Sequence, residues 1–322
     1  MGRGARATGR SAAWRTRERE GGEAEEEGMP ELAAGARVLT PLELCAQGFY
    51  KRFSLPMRPS PDLKYLELPA FDVREALTTQ AEFDLGDRTF EEEDCEGLAA
   101  AIQLLRPRQL CQVHLHRCNI GDEFAAVIEA LKFLPALDLL YAAQNRIGPA
   151  AMSALSRLAA AGEVLGIRKL ALPHNSLGDE GLRSIASAMV AGTLPKMEYL
   201  FVAENNVGDE GAVAIAQALE GGACPQMSRL SLQSNRLTDK SLHALASALH
   251  KGAFARGEYI YVQDNPFSEE GQAALLEAMA DHPNLMQGHF GWPPPLSREQ
   301  ILREDEARKR EEAELIEDVV KR

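Results

Sequence analysis

Several features are scarce or missing in this sequence of 322 residues, and each absence excludes a class of protein. No run of about 18 apolar residues occurs, so a transmembrane helix is not expected. Five cysteines form no CxxC pair and no secretory leader precedes them, so we expect reduced thiols inside the cell. The net charge of −13 repels phosphate backbones, which argues against general nucleic-acid binding.

Catalytic signatures are also missing. No GxSxG, HExxH, Walker-type or GxGxxG element occurs in a suitable strand–helix context. The stretch CQVHLHRC groups two cysteines and two histidines, but in the repeat register described below Cys118 points inward. His114 and His116 point outward onto a solvated face, so the four groups do not converge on one metal ion. We therefore expect no catalytic residue, no metal and no cofactor.

The N-terminal residues differ in composition from the rest of the chain. Residues 1–17 carry five arginines and no acid, and the stretch Glu18–Glu27 is mostly acidic. We expect 1–38 to be a disordered charged tail, with an organelle transit peptide as the alternative. Residues 39–79 are expected to form an N-terminal cap. This cap would hold a helix that begins at Pro41 and a strand at Leu63–Leu68, which is either a degenerate first repeat or part of the cap.

The C-terminal residues 293–322 begin with three prolines, which end regular structure. From Ser297 the sequence predicts a helix of mixed charge, with Ser297 and Gln300 as a capping box. We expect this segment to be a proline linker and a solvated helix. A short partner-binding or coiled-coil helix is the alternative.

Residues 80–292 contain a repeat of the form LxxLxLxxNxL, followed by a turn and a helix with an apolar stripe. The clearest copy has Ile167, Leu170, Leu172, Asn175 and Leu177. The positions equivalent to its asparagine recur every 30 residues, apart from one step of 27, and are Arg88, Cys118, Asn145, Asn175, Asn205, Asn235 and Asn265. Because one copy cannot bury its own apolar face, seven copies predict a stacked solenoid with a C-terminal cap.

This pattern resembles the leucine-rich repeat family in its ribonuclease-inhibitor-like form. The resemblance implies an α/β horseshoe of about seven repeats, with parallel strands on the concave face and helices on the convex face. A buried asparagine amide in each repeat can bridge neighbouring backbone turns. The expected ladder consists of Cys118, Asn145, Asn175, Asn205, Asn235 and Asn265.

The acidic pairs of two GDEG motifs, Gly178–Gly181 and Gly208–Gly211, raise the question of a duplicated catalytic or metal site. The equivalent positions in other repeats are GPA at Gly148–Ala150 and TDKS at Thr238–Ser241, so the carboxylates are not constant. All of these repeats keep residues that form turns or begin helices at these positions. We therefore expect the glycine to make a turn, the aspartate to cap the helix that it begins, and the glutamate to favour the first turn.

Outward strand positions hold four of the six tyrosines in the chain. Exposed aromatic and cationic side chains on one face are typical of a protein interface. We expect a partner-binding surface formed by Tyr141, Lys169, Tyr199, Phe201, Arg229, Tyr259 and Tyr261. The alternative is that the β-propensity of aromatic residues alone places them there.

Two functions fit the sequence. The first is a non-enzymatic, monomeric scaffold in the cytoplasm, or alternatively the nucleus, that binds a protein partner on its concave face. The second follows from the GDEG repeats, which are similar to those of Ran GTPase-activating proteins. That similarity implies stimulated GTP hydrolysis on a Ran-like small GTPase by positioning alone. This array is shorter than is usual in that family, and no functional loop residue of the family matches a position here.

Overall fold

The computed structural model describes residues 39–53, 72–91, 93–282 and 284–285. All of them belong to one compact unit, Leu39–Arg322. The expected tail 1–38, the expected strand Leu63–Leu68 and the expected helix after Ser297 lie outside the described residues. Within the described ranges, no helix has both the length and the apolar character needed to span a bilayer.

In the described residues, two helices precede the repeats. Helix α1, Pro41–Phe53, begins with a reciprocal capping box: the Glu43 amide donates to Thr40 Oγ1 (3.3 Å) and the Thr40 amide donates to Glu43 Oε2 (2.8 Å). Its buried Phe53 meets Phe90 of the first repeat edge-on, with ring centroids 5.0 Å apart. Helix α2, Val73–Thr79, was not predicted from the sequence. Helix α1 therefore covers one end of the repeat core, as a cap should.

The part of the chain that the structure describes contains seven three-residue strands, which form one parallel sheet in chain order. They are β1 Glu82–Asp84, β2 Gln112–His114, β3 Leu139–Tyr141, β4 Lys169–Ala171, β5 Tyr199–Phe201, β6 Arg229–Ser231 and β7 Tyr259–Tyr261. Neighbouring strands pair without any shift, so equivalent repeat positions stand side by side. This register is the one that the repeat alignment predicts.

One helix follows each strand. These helices are α3 Asp94–Leu105, α4 Phe124–Ala130, α5 Pro149–Ala160, α6 Gly178–Val190, α7 Asp209–Glu220, α8 Asp239–His250 and α9 Glu269–Ala280. Helix α4 is the shortest of the seven, and a 3-10 turn at Leu131–Phe133 continues it. It occupies the repeat that is 27 residues long.

The main core lies between the sheet and this helix layer. The middle residue of each strand, such as Leu170, is buried against the apolar stripe of the helices, for example Leu182, Ile185 and Met189 of α6. The first and third residues of each strand point to the opposite face because side chains alternate along a strand. The chain is thus an open solenoid of seven leucine-rich repeats, and the predicted fold class is confirmed.

Candidate functional site: the inner face and the ladders that shape it

The inner face is held in register by the asparagine ladder. Nδ2 of Asn175 donates to the carbonyls of Ala142 (2.9 Å) and Leu172 (3.0 Å), and its Oδ1 accepts from the amide of Ile147 (3.0 Å). One side chain therefore links its own repeat to the preceding one. Asn145, Asn205, Asn235 and Asn265 make equivalent bonds. A buried amide in this position is fully hydrogen-bonded, which explains the residue type.

Cys118 takes the same position in the second repeat. Its Sγ donates to the carbonyl of Leu85 at 3.2 Å. Burial raises the pKa of this thiol, so it stays protonated and acts as a donor. The role of Cys118 is therefore structural, and the environment disfavours the reactive thiolate.

The aspartates of GDEG act differently from the sequence expectation. Asp179 does not cap its own helix, α6; its Oδ1 accepts from the amides of Gly208 (2.8 Å) and Gly211 (2.9 Å) in the next repeat. A Cβ at either glycine would lie 2.9 Å from this carboxylate, closer than real Cβ contacts. Both glycines are needed because the neighbouring aspartate reaches the backbone. The cap acts between repeats, and this corrects the prediction of a local cap.

Two further aspartates bind the helix start of the next repeat in the same way, and we call this contact the clasp. Asp209 accepts from the Thr238 amide (2.9 Å) and from the hydroxyls of Thr238 (2.6 Å) and Ser241. Asp239 accepts from the amide (2.7 Å) and hydroxyl (2.8 Å) of Ser268. The aspartates of these motifs thus hold neighbouring repeats together.

Pro149 occupies the aspartate position of the third repeat, and the next repeat adapts to its loss. Gly178 has a φ of +57°, a conformation that glycine adopts without steric cost, and its amide donates to the Asn205 carbonyl at 3.0 Å. Helix α6 consequently starts at Gly178, one position earlier than α7, whose equivalent Gly208 lies outside the helix. The backbone change follows from the missing carboxylate.

Each strand is followed by a turn that contains a left-handed, non-glycine residue immediately before the ladder position. These residues have φ between 53° and 65° and are Asp87, Arg117, Gln144, His174, Glu204, Ser234 and Asp264. Two contacts link neighbours in this row: Arg117 Nε pairs with Asp87 Oδ1 (2.6 Å), and His174 Nδ1 lies 2.8 Å from Glu204 Oε2. The row forms one charged border of the inner face. Sequence reasoning missed it because the residue types share no property.

Two rows of side chains cover the inner face itself. The first row, from the first residue of each strand, is Glu82, Gln112, Leu139, Lys169, Tyr199, Arg229 and Tyr259. The second row, from the third residue, is Asp84, His114, Tyr141, Ala171, Phe201, Ser231 and Tyr261. All seven residues predicted to bind a partner lie in these two rows. The structure therefore places them on one face.

The expected exposure of these rings is wrong. Tyr199, Phe201 and Tyr261 are only 8%, 7% and 5% exposed, and Lys169 is buried, while Tyr141, Arg229 and Tyr259 are half-buried. Neighbouring side chains cover one another for part of this burial, because adjacent strands are only about 4.8 Å apart. The rings of Tyr199 and Phe201 lie 5.9 Å apart, and those of Tyr259 and Tyr261 stack at 5.6 Å.

The rings nevertheless stay outside the main core. Leu139, Ala171, Tyr199 and Phe201 form a second apolar cluster, against which Tyr141 packs. The cluster lies on the opposite side of the sheet from the helices. It is an apolar patch on the inner face that adds nothing to packing between strands and helices.

Cations alternate with tyrosines in the first row. The Tyr199 ring centroid is 5.3 Å from Lys169 Nζ and 4.8 Å from the Arg229 guanidinium, and Arg229 also lies 5.2 Å from the Tyr259 centroid. Arg229 Nε is 3.0 Å from Glu258 Oε2 at the edge of the face. These contacts fix the planes of the rings and hold the cations in place.

The amino-terminal end of the face is acidic and contains both histidines. His114 is fully buried, and its Nε2 lies 3.3 Å from Gln112 Oε1 and 3.4 Å from Glu82 Oε1. His116 Nε2 lies 3.5 Å from Asp87 Oδ2. The expectation that these histidines face solvent is therefore wrong: His114 is buried and His116 half-buried, because nearby carboxylates and the Tyr141 ring of the next strand lie against them. In the described residues, no group of three or more His, Cys, Asp or Glu could hold a metal ion.

A second concavity of about 630 Å³ lies between α1 and the start of α3. Arg52 lines it and binds Asp94, with Nε 3.0 Å from Oδ2, while the same carboxylate accepts from the Glu91 amide at 2.6 Å. Burial raises the pKa of the Asp94 carboxyl above its usual value, although the hydrogen bond from the Glu91 amide partly opposes this effect. The pair joins the N-terminal helix to the first repeat, which is a structural role.

Comparison with known proteins supports the repeat class. A family model described as "Leucine Rich repeat" matches residues 167–186 and 193–216. No curated protein matches the chain. The match covers two segments of the chain, and the single parallel sheet with its helices has the fold of a leucine-rich repeat solenoid.

Three solved structures illustrate the likeness. InlP of Listeria monocytogenes is 11% identical over 72% of this chain and 55% of its own, with a TM-score of 0.36. An internalin, inlF, of the same organism is 11% identical over 78% of this chain and 92% of its own, with a TM-score of 0.29. The Arabidopsis receptor kinase HAESA was solved with the peptide hormone IDA and the co-receptor SERK1. It is 14% identical over 63% of this chain and 37% of its own, with a TM-score of 0.30. The chain thus spans about half of InlP and about a third of HAESA.

Proposed function

We propose that this chain is a non-enzymatic scaffold of the ribonuclease-inhibitor-like repeat form that binds a protein partner through its inner face. The observation that supports this most is the second apolar cluster, around Tyr199 and Phe201, on the side of the sheet away from the helices. The framework is complete without it, because the ladders and the main core hold the repeats together. Rigid aromatic side chains ringed by charges are typical of interface centres.

The charged borders fit the same function. Arg168 pairs with Glu198 through two bonds, Nε–Oε1 at 2.7 Å and Nη2–Oε2 at 3.0 Å, along one side of the face. His174 and Glu204 pair along the other side. A polar rim around an apolar centre gives orientation and selectivity to a protein interface.

The test is affinity capture with the full chain and a double variant, Tyr199→Ala with Tyr261→Ala. We expect the double variant to lose the partners that the wild type captures while its melting curve stays cooperative. The matched control is Val164→Ala with Val190→Ala, two side chains that are 65% and 69% exposed outside the inner face. Equal capture by all three proteins would rule out the inner face as the binding surface.

A GTPase activator remains the second candidate from the sequence, and a separate assay distinguishes it. In single-turnover GTP hydrolysis with a Ran-like GTPase, the scaffold proposal expects no acceleration by the wild-type chain. Acceleration that the Tyr199→Ala, Tyr261→Ala variant lacks would replace the scaffold by the activator.

A further inference from the structure

The second row of the inner face alternates large and small side chains. Aromatic rings come from every other strand, at Tyr141, Phe201 and Tyr261. Between them stand Ala171 and Ser231, each only 1% exposed. A small side chain between two rings leaves the floor of a recess that the rings cover in this structure and that opens when they rotate. The row therefore holds two such covered recesses, at Ala171 and Ser231, with Phe201 beside both.

The distance between the two recesses is set by the sheet. They are two strands apart, and hydrogen-bonded strands are about 4.8 Å apart, so the recesses repeat at about 9.6 Å. In a polyproline II helix, three residues advance the chain by about 9.3 Å and return the side chain to the same side. An extended strand brings side chains to one side at about 6.8 Å, which does not match.

The Ser231 hydroxyl provides an independent observation. It is buried, and no hydrogen-bond partner for it exists in the part of the chain that the structure describes. Strand alternation directs it away from the core and into the recess between Phe201 and Tyr261. A buried hydroxyl without a partner is unfavourable unless something accepts its proton. Alanine, as at position 171, would be enough if position 231 only had to form the floor of a recess.

We infer that the inner face binds a proline-rich segment of a partner protein in the polyproline II conformation, with prolines three residues apart in the recesses at Ala171 and Ser231. This rests on the proposed function and names the class of ligand. Aromatic walls are the surfaces on which proline rings pack, and the preformed helix loses little entropy on binding. A carbonyl of the segment accepts from the Ser231 hydroxyl.

The buried walls add a structural requirement. Phe201 and Tyr261 are almost fully covered, so a proline ring enters only when these side chains rotate. Binding is therefore expected to change the near-ultraviolet circular dichroism of the tyrosines. A ligand that merely rests on the charged borders would leave that signal unchanged.

The experiment uses the full chain and two fluorescein-labelled peptides of equal composition, PAAPAAPAA and PPPAAAAAA, in an anisotropy titration. Only the first peptide can fill both recesses at once, so we expect it to bind at least about tenfold more tightly. Equal affinities, or no binding of either peptide, would overturn the inference. Binding of either peptide only after Pro293, Pro294 and Pro295 are changed to alanine would assign the recesses to the chain's own prolines and overturn the partner assignment.

Variants locate the site. Ala171→Leu fills one recess and is expected to weaken PAAPAAPAA by at least about tenfold, whereas Ala160→Leu, on the exposed end of α5, leaves it unchanged. Ser231→Ala keeps the recess and loses the hydroxyl, so a loss of about two- to tenfold is expected, the value of one hydrogen bond. If Ala171→Leu does not fold, the Ser231→Ala variant and the comparison of the two peptides still test whether the recesses bind prolines. An unaffected Ser231→Ala variant would contradict the role of the hydroxyl.

The two proposals fail separately. If neither peptide binds but the Tyr199→Ala, Tyr261→Ala variant still loses its partners, the proline assignment is wrong and the scaffold stands. If the variant keeps its partners, the inner face itself is excluded.

Discussion

Asp179 and Gly208 join consecutive repeats: the Asp179 carboxylate accepts the Gly208 amide proton at 2.8 Å, 29 residues along the chain. The Gly211 amide binds the same oxygen at 2.9 Å. The asparagine ladder runs in the other direction, since each Oδ1 accepts from the preceding repeat, as Asn175 does from Ile147. The repeats of Asn205 and Asn235 are therefore each held by an aspartate from the preceding repeat and an asparagine from the following one.

Replacing Asp179 by alanine leaves the amides of Gly208 and Gly211 without their acceptor. We expect a loss of about 1–2 kcal/mol in the free energy of unfolding, the usual value of a helix cap. The neighbouring Glu180→Ala, which removes an exposed side chain, should stay within about 0.5 kcal/mol. Urea unfolding at neutral pH measures both, and equal losses would contradict the clasp.

Gly211→Ala tests the close approach between repeats. Alanine normally stabilises a helix by about 0.5–1 kcal/mol relative to glycine. At Gly211 the new Cβ would lie 2.9 Å from Asp179 Oδ1 and 3.1 Å from Asp179 Cα, so we expect destabilisation of about 1–3 kcal/mol. Gly48→Ala in α1 is the control, because a Cβ there meets nothing within 4 Å and should stabilise. The same sign for both substitutions in thermal melts would refute the explanation.

Asn205→Ala removes a fully buried amide that bonds to two repeats. The carbonyl of Leu172 and the amide of Leu177 lose their partner, so we expect a cost of about 1–3 kcal/mol. Ser231→Ala should not destabilise the protein by more than about 0.5 kcal/mol, because its hydroxyl has no hydrogen-bond partner to lose in the described residues. Equal melting temperatures of the two variants would show that the ladder assignment is wrong.

The clasp aspartates predict a dependence of stability on pH. Burial raises the pKa of Asp209, but the hydrogen bonds from Ser241 and Thr238 lower it by more, so its pKa lies below the usual value. The pKa of the folded state is thus depressed. Its contribution to stability is present above the unfolded value of about 3.9 and is lost as the pH falls through the folded value.

Asp209→Asn should therefore be less stable than wild type at pH 7, and this difference should shrink as the pH falls below about 4. Urea midpoints across that range provide the measurement. Exposed Glu277, changed to glutamine, is the control and should show no such trend. A constant gap between wild type and Asp209→Asn would mean that the charge of Asp209 is not what stabilises the clasp.

The sequence predicted the strand register because the pattern around Asn175 has the period of two that a strand imposes and the period of 30 that stacking imposes. It could not assign the direction of the Asp179 cap. A carboxylate at a helix start looks the same locally whether the nearest free amides belong to its own helix or to the next one. That distinction depends on how the repeats stack.

The exposure of Tyr199 and His114 could not be predicted for a related reason. Alternation determines the face toward which a side chain points, but neighbouring strands determine how much of it water reaches. The cation–ring contacts of Lys169 in β4 and Arg229 in β6 with Tyr199 in β5 join residues that are 30 positions apart in the sequence. The left-handed turn row, with Gln144 as one member, gave no signal because its composition is mixed.

The short helix α4 shows where the length of a repeat can vary. The repeat that contains it is three residues shorter than the others, yet β2 and β3 still pair Val113 with Leu140 in unbroken alignment. Mutations that lengthen or trim the chain are thus absorbed by the outer layer, and the inner wall keeps a constant pitch. The length of the outer helices can therefore change while the spacing between the strands of the inner face stays the same.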